Sequence, residues 1–393
     1  MPKSLDSRKL VQLLAGPRPV TVLDIRDPED HEAWSIPGSV LVPAVDALYD
    51  GHPEALDAFD APRDRPVVAV CGRGRSSVLA AAALEARGFD AFSLEGGMRA
   101  WSLAWDAVDV GFAGPGRAQG QAQGDGRGEG QEGPGQGPGQ GTVVVQVRRL
   151  GKGCLSYLVA SNGEALVVDA SLDPEVYEEL CRARDWRISG VVDTHIHADH
   201  LSRGPDLARR AGAPYMLPRT GRSRVERREL DDGSTVAVGA ERLDVLAVPG
   251  HTPESVALLL PGRAVLTGDT LFARGVGRPD LEATSGEARA RAVALHGSLR
   301  RLAALGDELV VLAAHADGAL VPGEPAVAAP MREATSHARG IEDHAEAFAT
   351  ALLAKLPPPP PNHAVVVKMN EAGDWPKDPV DLEAGGNRCA VPG

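Results

Sequence analysis

The chain has 393 residues and a formal net charge of −13, with 43% apolar residues. An excess of acidic over basic residues argues against a nucleic-acid partner, because phosphate binding needs a basic face. No apolar run approaches the roughly 20 residues that a membrane helix needs, and the start Met1–Asp6 lacks the apolar core of a signal peptide. We therefore expect a cytoplasmic protein without a membrane segment, built from two or three domains.

Composition divides the chain into four segments. Residues 111–141 are mostly Gly, Gln and Pro, which predicts a disordered linker because few side chains can be buried. The linker separates an N-terminal domain at 1–110 from a C-terminal domain at 142–355. A tail at 356–393 begins in the proline run Pro357–Pro361.

The N-terminal domain alternates short apolar strands with helices. The pattern predicts strands at residues 20–24 and 67–71 and a helix at 77–87. Strands that alternate with helices indicate a parallel α/β sheet.

The second of these strands ends at Cys71, and a Gly-Arg-Gly-Arg-Ser-Ser loop leads from it into the helix. The N–H groups of such a loop, and the helix N-terminus, lower a thiol pKa and stabilise an anion beside it. Arg73 and Arg75 would attract an anionic sulfur donor. A thiolate here can attack a sulfane sulfur and carry it as a persulfide. The alternatives are a buried structural Cys and a phosphatase-like loop, although the latter would need Arg where Ser77 stands.

The N-terminal domain resembles a single-domain rhodanese. The matching segments, besides the Cys71 loop, are Leu23–Arg26, Ile36–Ser39 and Leu94–Trp101. The resemblance implies that Cys71 is the catalytic sulfur carrier, with thiosulfate or sulfite as partners. The usual Gly-His before the Ile-Pro-Gly segment is replaced by Trp34 and Ser35, which we expect to affect packing more than catalysis.

The C-terminal domain presents metal-ligating side chains where apolar strands end. Strands are predicted at 143–149, 156–160, 165–169, 188–193, 242–248 and 264–266, with helices at 174–183, after 330 and before 357. The candidate ligands follow such strands and are His195, His197, Asp199, His200, His251, Asp269 and His315. Because a rigid sheet aims the loops at its strand ends, this set predicts a metal centre.

Three segments, Thr194–His200, Pro249–Ser255 and Thr267–Leu281, resemble the metallo-β-lactamase superfamily. They are similar to the branch that holds glyoxalase II thioesterases and persulfide dioxygenases. The resemblance implies an αββα sandwich with metal at one edge of its sheets. Two chemistries stay open. A di-zinc hydrolase would use all seven groups with Asp269 as the bridge, and a mononuclear iron enzyme would use two histidines and one carboxylate.

Two features favour iron. The segment Gly277–Asp280 is similar to a pattern in persulfide dioxygenases, and the fused N-terminal domain handles sulfur. The resemblance then implies one Fe(II) per chain, held by His195, His251 and Asp269. The other four candidates, His197, Asp199, His200 and His315, would form a second metal site or support the first. Arg278, Arg73 and Arg75 are predicted to bind substrate. The chain departs from the family at Asp317, where Tyr is common.

The main hypothesis is a persulfide dioxygenase that oxidises a low-molecular-weight thiol persulfide, such as glutathione persulfide, with O2 to sulfite and thiol. Sulfur transfer through Cys71 would be coupled to it. One alternative is a di-zinc glyoxalase II-like thioester hydrolase with a regulatory rhodanese domain, and another is a non-catalytic sulfur-binding or sensing protein. The thiol carrier, the direction of sulfur flow and a homodimeric state stay open.

The other three cysteines are widely spaced and form no disulfide framework or zinc ribbon. Cys154 and Cys181 are interpreted as core residues. Cys389 lies in a tail that resembles the tail of some bacterial persulfide dioxygenases.

Overall fold

The computed structural model describes residues 2–112, 141–386 and 388–392. The predicted linker at 111–141 lies outside these ranges apart from its ends.

The N-terminal half builds a parallel sheet with helices between its strands. Its elements are β1 (Ser4–Leu5), α1 (Ser7–Leu14), β2 (Thr21–Asp24), α2 (Pro28–Ala33), β3 (Val40–Leu41), α3 (Val45–Tyr49), a 3₁₀ turn (Pro53–Leu56), β4 (Val67–Val70), α4 (Ser76–Ala86), β5 (Ala91–Leu94) and α5 (Gly97–Trp101). The strand order is β1-β5-β4-β2-β3, and each neighbouring pair is parallel. Every residue of β4 is buried, as expected for a central strand covered on both faces. The predicted parallel α/β sheet is confirmed.

The remaining elements all lie after residue 104. They are β6 (Trp105–Asp109), β7 (Val143–Arg149), β8 (Cys154–Ser161), β9 (Glu164–Val168), α6 (Pro174–Arg182), β10 (Arg187–Val192), α7 (Gly204–Ala211), β11 (Tyr215–Pro218), β12 (Arg228–Leu230), β13 (Thr235–Val238), β14 (Glu241–Ala247), β15 (Val256–Leu260), β16 (Ala264–Gly268), β17 (Leu271–Phe272), β18 (Gly275–Gly277), α8 (Ser285–Ala303), β19 (Val310–Ala313), β20 (Ala329–Pro330), α9 (Met331–Ser336), α10 (Ala345–Leu353), α11 (His363–Ala372), α12 (Val380–Glu383) and β21 (Ala390–Pro392).

These elements form a four-layer sandwich. One sheet has the order β12-β11-β10-β9-β8-β7-β6, and the other has the order β13-β14-β15-β16-β19-β20. Apolar side chains fill the space between the two sheets. Helices α6 and α7 cover the outer face of the first sheet, and α8, α9 and α10 cover the outer face of the second. The predicted αββα arrangement is confirmed.

The two halves share one apolar core across the predicted boundary at residue 110. Strand β6 pairs antiparallel with β7, so the chain that leaves the first half already belongs to the sheet of the second. Buried side chains of the first half, among them Leu10 and Trp101, belong to the same cluster as Val144 and Leu155 of the second. The indole of Trp34 donates a hydrogen bond to Gly151 O at 2.6 Å. This contact confirms a packing role for Trp34.

Among the described residues, none of the helices combines the length and apolar character that crossing a membrane requires.

Candidate metal centre and cysteine loop

The predicted ligands meet at one edge of the sandwich, because the strands that carry them end there. The run Thr194–His200 follows β10, His251 follows β14, Asp269 follows β16 and His315 follows β19. All seven predicted ligands are almost completely buried, with at most 2% of each residue exposed. The two sheets therefore bring together, at one edge, every metal-ligating residue that the sequence singles out.

Three ligand atoms at this edge converge without a partner. Asp269 Oδ2 lies 3.8 Å from His195 Nε2 and 3.6 Å from His251 Nε2. None of these three atoms has a hydrogen-bond partner among the described residues, although all are buried. Buried polar atoms left without a partner are costly. A metal ion would satisfy all three, so the residues fit a metal bound by two imidazoles and one carboxylate.

The other ring nitrogens of these histidines are already engaged. His251 Nδ1 donates to Arg278 O at 2.8 Å. Thr194 Oγ1 donates to the Asp169 carboxylate and can therefore accept a hydrogen bond from His195 Nδ1 at 2.9 Å. Both contacts leave the Nε2 lone pair free to point at the centre. Burial lowers the pKa of both His195 and His251, which keeps the imidazoles neutral, as ligands must be.

A second group of predicted ligands is joined by hydrogen bonds instead. His315 lies between two carboxylates, with Nδ1 at 2.7 Å from Asp269 Oδ1 and Nε2 at 2.8 Å from Asp199 Oδ2. His200 Nδ1 lies 3.0 Å from Asp199 Oδ1. Burial alone would lower the pKa of His315, but the two carboxylates outweigh it and raise that pKa well above its usual value. A doubly donating imidazolium here can neutralise two acidic side chains.

Cys154 belongs to this second group, which the sequence does not reveal. It is buried, as the interpretation as a core residue expects, but its Sγ lies 3.5 Å from Asp199 Oδ2. Burial and Asp199 raise the pKa of the Cys154 thiol. His200 and His315 outweigh these effects and lower the pKa of Cys154 from 9.0 to about 7. Cys154, Asp199, His200 and His315 offer ligand atoms that all lie within 4.8 Å of one another.

His197 faces a different set of carboxylates. Its Nε2 lies 3.3 Å from Asp169 Oδ1 and 4.0 Å from Asp193 Oδ1. Asp169 directly follows β9 and has a positive φ of 55°. Its carboxylate accepts a hydrogen bond from the backbone N–H of Thr194 at 2.7 Å. Asp169 is not among the ligands predicted from the sequence, although an acidic residue at the end of a buried strand is the signal that could have identified it.

Arg278 is a buried residue whose guanidinium is held by hydrogen bonds to other residues of the chain. It is 1% exposed, forms two hydrogen bonds with the Asp280 carboxylate, and donates to Pro358 O and Arg388 O at 3.1 Å. The guanidinium thus fixes the tail beside the metal edge, and the carbonyl of the same residue orients His251. The predicted contact between Arg278 and substrate stays a prediction.

The tail forms part of the site. Strand β21 pairs antiparallel with β18. Cys389, directly before β21, is fully buried, and its Sγ belongs to a group with ligand atoms of Asp269 and His315 within 4.8 Å. Asn370 donates to His197 O and His200 O and accepts from Ser202 N, each at 2.9 Å. No sequence motif marks Asn370 as part of the site.

A buried ion-pair network holds the same loop from the tail. Glu383 accepts a hydrogen bond from Leu201 N at 2.7 Å and pairs with Arg149 at 3.0 Å and Arg203 at 2.9 Å. Glu383 and Arg149 are completely buried. Burial alone would raise the pKa of Glu383, but the two guanidinium groups lower it to about 2.

The Cys71 loop has the geometry that the sequence predicts. Cys71 directly follows β4 and is 3% exposed. Its Sγ lies 3.1 Å from Gly74 N, 3.4 Å from Ser77 N and 3.3 Å from Ser77 Oγ. Burial raises the pKa of this thiol. The hydrogen bonds of the loop, led by those from Ser76 and Ser77, outweigh burial, and the pKa is lowered from its ordinary value of 9.0.

Cations line the cleft above Cys71. The cleft has a volume of about 290 Å³, and Arg26, Arg73 and Arg75 are among its lining residues. Arg73 pairs with Asp381 of the tail at 3.1 Å, and Arg75 is exposed. Anionic donors would meet positive charge in this cleft. The predicted role of Arg73 and Arg75 in binding substrate is therefore compatible with their position.

Family comparisons agree with the two halves of the fold. Residues 149–315 match the family described as the metallo-β-lactamase superfamily, and residues 6–104 match the rhodanese-like domain. The chain is similar to the hydroxyacylglutathione hydrolase of Fuscovulum blasticum, with 36% identity over 43% of this chain and 67% of that protein. The protein of the same name from Anaeromyxobacter dehalogenans is 42% identical over 33% of this chain and 51% of its own length. The chain thus spans between about half and two thirds of these relatives.

Two solved structures resemble the chain over more than half of its length. ETHE1 from Myxococcus xanthus has 27% identity and a TM-score of 0.51, covering 57% of this chain and 96% of that one. A metallo-β-lactamase from Staphylococcus aureus has 24% identity and a TM-score of 0.54, covering 61% of this chain and 74% of that one. The second likeness concerns the fold alone.

Proposed function

Because this chain belongs to the metallo-β-lactamase superfamily and carries a rhodanese-like domain, we propose that it is an iron-dependent persulfide dioxygenase coupled to sulfur transfer. The reaction converts a thiol persulfide R–S–SH, O2 and water into R–SH, sulfite and two protons. The rhodanese-like domain delivers or removes sulfane sulfur through Cys71. The likeness to ETHE1 from Myxococcus xanthus over nearly its whole length fits this proposal.

The observation that carries the proposal is the difference between the two groups of ligands. His195 Nε2, His251 Nε2 and Asp269 Oδ2 are buried and have no hydrogen-bond partner among the described residues. The neighbouring His315 instead bridges Asp199 and Asp269 through hydrogen bonds. His200 Nε2 and both ring nitrogens of His197 also lack a hydrogen-bond partner among the described residues. The support for one metal ion rather than two therefore comes from His315 and Asp199, whose ligand atoms are already engaged in hydrogen bonds.

His195, His251 and Asp269 would hold the iron. Iron held by these residues would supply the redox chemistry between the persulfide and O2. The chain's own residues position and shield the site. Arg278 O orients His251, and His315 holds the second oxygen of Asp269. Burial of all three ligands excludes bulk water, which strengthens electrostatic interactions in the site.

In the rhodanese-like domain, Cys71 carries the sulfur. Its thiolate accepts hydrogen bonds from Gly74 N and Ser77 N, and these contacts also stabilise the thiolate that leaves when sulfur is passed on. The thiolate attacks a sulfane sulfur, forms an S–S bond and releases the donor's thiolate or sulfite. In the reverse direction, a nucleophile takes the terminal sulfur from the Cys71 persulfide.

The test combines metal analysis with turnover. Iron-loaded protein is expected to contain about one iron per chain and to consume O2 and release sulfite with glutathione persulfide. His251→Ala is expected to abolish both iron binding and O2 uptake. Cys71→Ser is the matched control, because it should lose sulfur transfer from thiosulfate while still oxidising free persulfide. Absence of iron-dependent O2 uptake with every persulfide tried would refute the proposal.

A second candidate is a di-zinc thioester hydrolase, and the names of the curated relatives favour it. In that case Asp199, His200 and His315 would hold a second ion together with Asp269. About two zinc ions per chain and hydrolysis of S-lactoylglutathione, without O2 uptake, would support this candidate instead.

A further inference from the structure

The cleft above Cys71 holds carboxylates as well as guanidinium groups. Its charged lining residues are three arginines and three acidic residues, namely Arg26, Arg73, Arg75, Asp27, Asp30 and Asp46. The charges of the lining residues therefore balance before any neighbouring residue is counted. How well an anion binds in the cleft thus depends on which guanidinium groups are paired.

Two of the three arginines pair with acidic residues outside the lining. Arg26 Nη2 lies 2.7 Å from Asp24 Oδ2, and both residues are buried. Arg73 Nη2 lies 3.1 Å from Asp381 Oδ2 in the tail. Arg75 is exposed and forms no ion pair with any residue that the structure describes. The pair between Arg73 and Asp381 is therefore the one that a distant segment of the chain adds at the edge of the cleft.

The carboxylate of Asp381 bridges two arginines of the rhodanese-like domain. Its Oδ1 accepts a hydrogen bond from Arg99 Nε at 2.8 Å, and its Oδ2 accepts one from Arg73 Nη2 at 3.1 Å. Arg73 belongs to the Cys71 loop itself. Arg99 contacts the same loop, since its backbone N–H donates to Gly72 O at 3.0 Å. One acidic side chain of the tail thus adds a negative charge directly beside the loop of the sulfur carrier.

The backbone that carries Asp381 is anchored, although the side chain is 55% exposed. Asp381 lies in α12 between Val380, which is buried, and Glu383, whose carboxylate is completely buried in ion pairs. These contacts hold the charge of Asp381 beside Arg73. Because an exposed ion pair contributes little to stability, its main effect is on the electrostatic potential at the cleft.

We propose that Asp381 is a specificity-determining residue for sulfur transfer at Cys71. Its carboxylate offsets the charge of Arg73 and so lowers the preference of the cleft for doubly charged donors, such as thiosulfate, over donors of the same shape with one charge. The inference rests on the proposed function for the sulfur-transfer step, although the charge at Cys71 can be measured without that step.

Two donors of similar shape separate charge from chemistry. With thiosulfate, the Cys71 thiolate forms an S–S bond to the outer sulfur, the S–S bond of the donor breaks, and its electron pair leaves with sulfite, so that Cys–S⁻ and S–SO3²⁻ give Cys–S–S⁻ and SO3²⁻. In methanethiosulfonate a methyl group replaces one oxygen, so the donor carries one negative charge instead of two and the leaving group is methanesulfinate. Comparing each donor between wild type and variant cancels their difference in intrinsic reactivity.

The expected effect follows from Coulomb's law. At a separation on the order of 10 Å in water, the interaction between two unit charges corresponds to about a twofold change in affinity. At low salt and with cyanide as the acceptor, Asp381→Asn should therefore raise kcat/KM about fourfold for thiosulfate and about twofold for methanethiosulfonate. Both gains should disappear near 1 M salt, where the Debye length is about 3 Å.

A second measurement needs no sulfur transfer. Cys71 of the full-length protein is alkylated with iodoacetate, which is an anion, and with iodoacetamide, which is neutral, and Cys71→Ser gives the background from the other thiols. The ratio of the two rates cancels any change in the reactivity of the thiol, because the same thiolate attacks both reagents. At low salt, Asp381→Asn should raise the ratio of the iodoacetate rate to the iodoacetamide rate about twofold. Asp381→Glu keeps the charge and should stay close to wild type.

Asp90→Asn is the matched control. Asp90 is also an exposed partner in an ion pair, with Lys3 at 2.7 Å. It directly precedes β5, whereas Cys71 directly follows the parallel neighbour β4, so the two residues lie at opposite edges of the sheet. Asp90→Asn removes the same charge and should leave the alkylation ratio and both donors unchanged.

The outcomes separate this inference from the proposed function. An unchanged alkylation ratio in Asp381→Asn, an equal rise in Asp90→Asn, or equal gains for the two donors would overturn the inference while leaving sulfur transfer untouched. A raised ratio together with absent transfer from both donors would refute sulfur transfer through Cys71 and uphold the effect of Asp381 on anions at the thiol.

Discussion

The ion pairs of Glu383 should stabilise the folded tail by a measurable amount. Glu383 is completely buried, and its carboxylate pairs with Arg149 and Arg203 while accepting a hydrogen bond from Leu201 N. We predict that Glu383→Gln, which keeps the shape and an acceptor but removes the charge, destabilises the protein. The buried Arg149 guanidinium would lose its carboxylate partner and stay desolvated.

The magnitude follows from the pKa. Lowering the pKa of Glu383 from 4.5 to about 2 corresponds to about 3 kcal/mol of unfolding free energy at neutral pH, since one pH unit is worth about 1.36 kcal/mol. At about 2–4 °C per kcal/mol for domains of this size class, the melting temperature should fall by roughly 6–12 °C.

The pH dependence has a definite sign. The folded pKa is depressed, so the stabilisation is fully present above the unfolded pKa near 4.5 and is lost as the pH falls towards about 2. The difference between wild type and Glu383→Gln should therefore be constant above about pH 5 and shrink below pH 4.5, by up to about 1.4 kcal/mol per pH unit.

The assay is thermal unfolding of both proteins from pH 7 to pH 3.5, followed by circular dichroism. Asp378→Asn is the matched control, because Asp378 lies in the same tail and pairs with Arg99 at the surface, where an ion pair contributes little. A melting temperature of Glu383→Gln within about 1 °C of wild type at pH 7 would refute the reasoning, as would an equal loss in Asp378→Asn.

Three other predictions address the metal edge, the thiol loop and the tail. Gly277→Ala would place a Cβ 1.8 Å from Asp269 O, so iron affinity measured by chelator competition should fall at least about tenfold, while Gly286→Ala, in open space, should change nothing. The rate of Cys71 alkylation by iodoacetamide should reach half its maximum below pH 9.0, since thiolate forms as pH rises through the lowered pKa, and a midpoint at or above 9.0 would contradict this. Arg278→Lys loses the forked contacts to the tail, so hydrogen exchange in β21 should accelerate by at least about tenfold relative to β16, and equal protection would count against a role for Arg278 in holding the tail.

The sequence by itself determined the features that depend on neighbouring residues. A strand that ends in a short motif fixes the motif's local geometry, so the run Thr194–His200, the strand-end ligand Asp269 and the loop of Cys71 could be placed before the fold was known. The parallel sheet followed from the alternation of apolar strands and helices, and the αββα sandwich followed from the family resemblance.

Only the tertiary structure decided which distant segments meet. Glu383 contacts Leu201 across 182 positions, and Asn370 contacts His197 across 173. No local pattern encodes such pairs, because the interactions exist only after the tail has packed against the metal edge. Arg278, which the sequence suggests as a substrate contact, shows the same limit, since its partners Pro358 and Arg388 lie far along the chain.

The surroundings of Cys154 are the clearest example of this division. Cys154 in the sequence is one of four widely spaced cysteines, without a motif. Its significance comes from burial beside Asp199, His200 and His315, which reach it from other parts of the chain. The sequence could assign chemistry to ligands and nucleophile because residue type and spacing carry that information. The surroundings of those residues arise from distant chain segments that meet only in the folded protein.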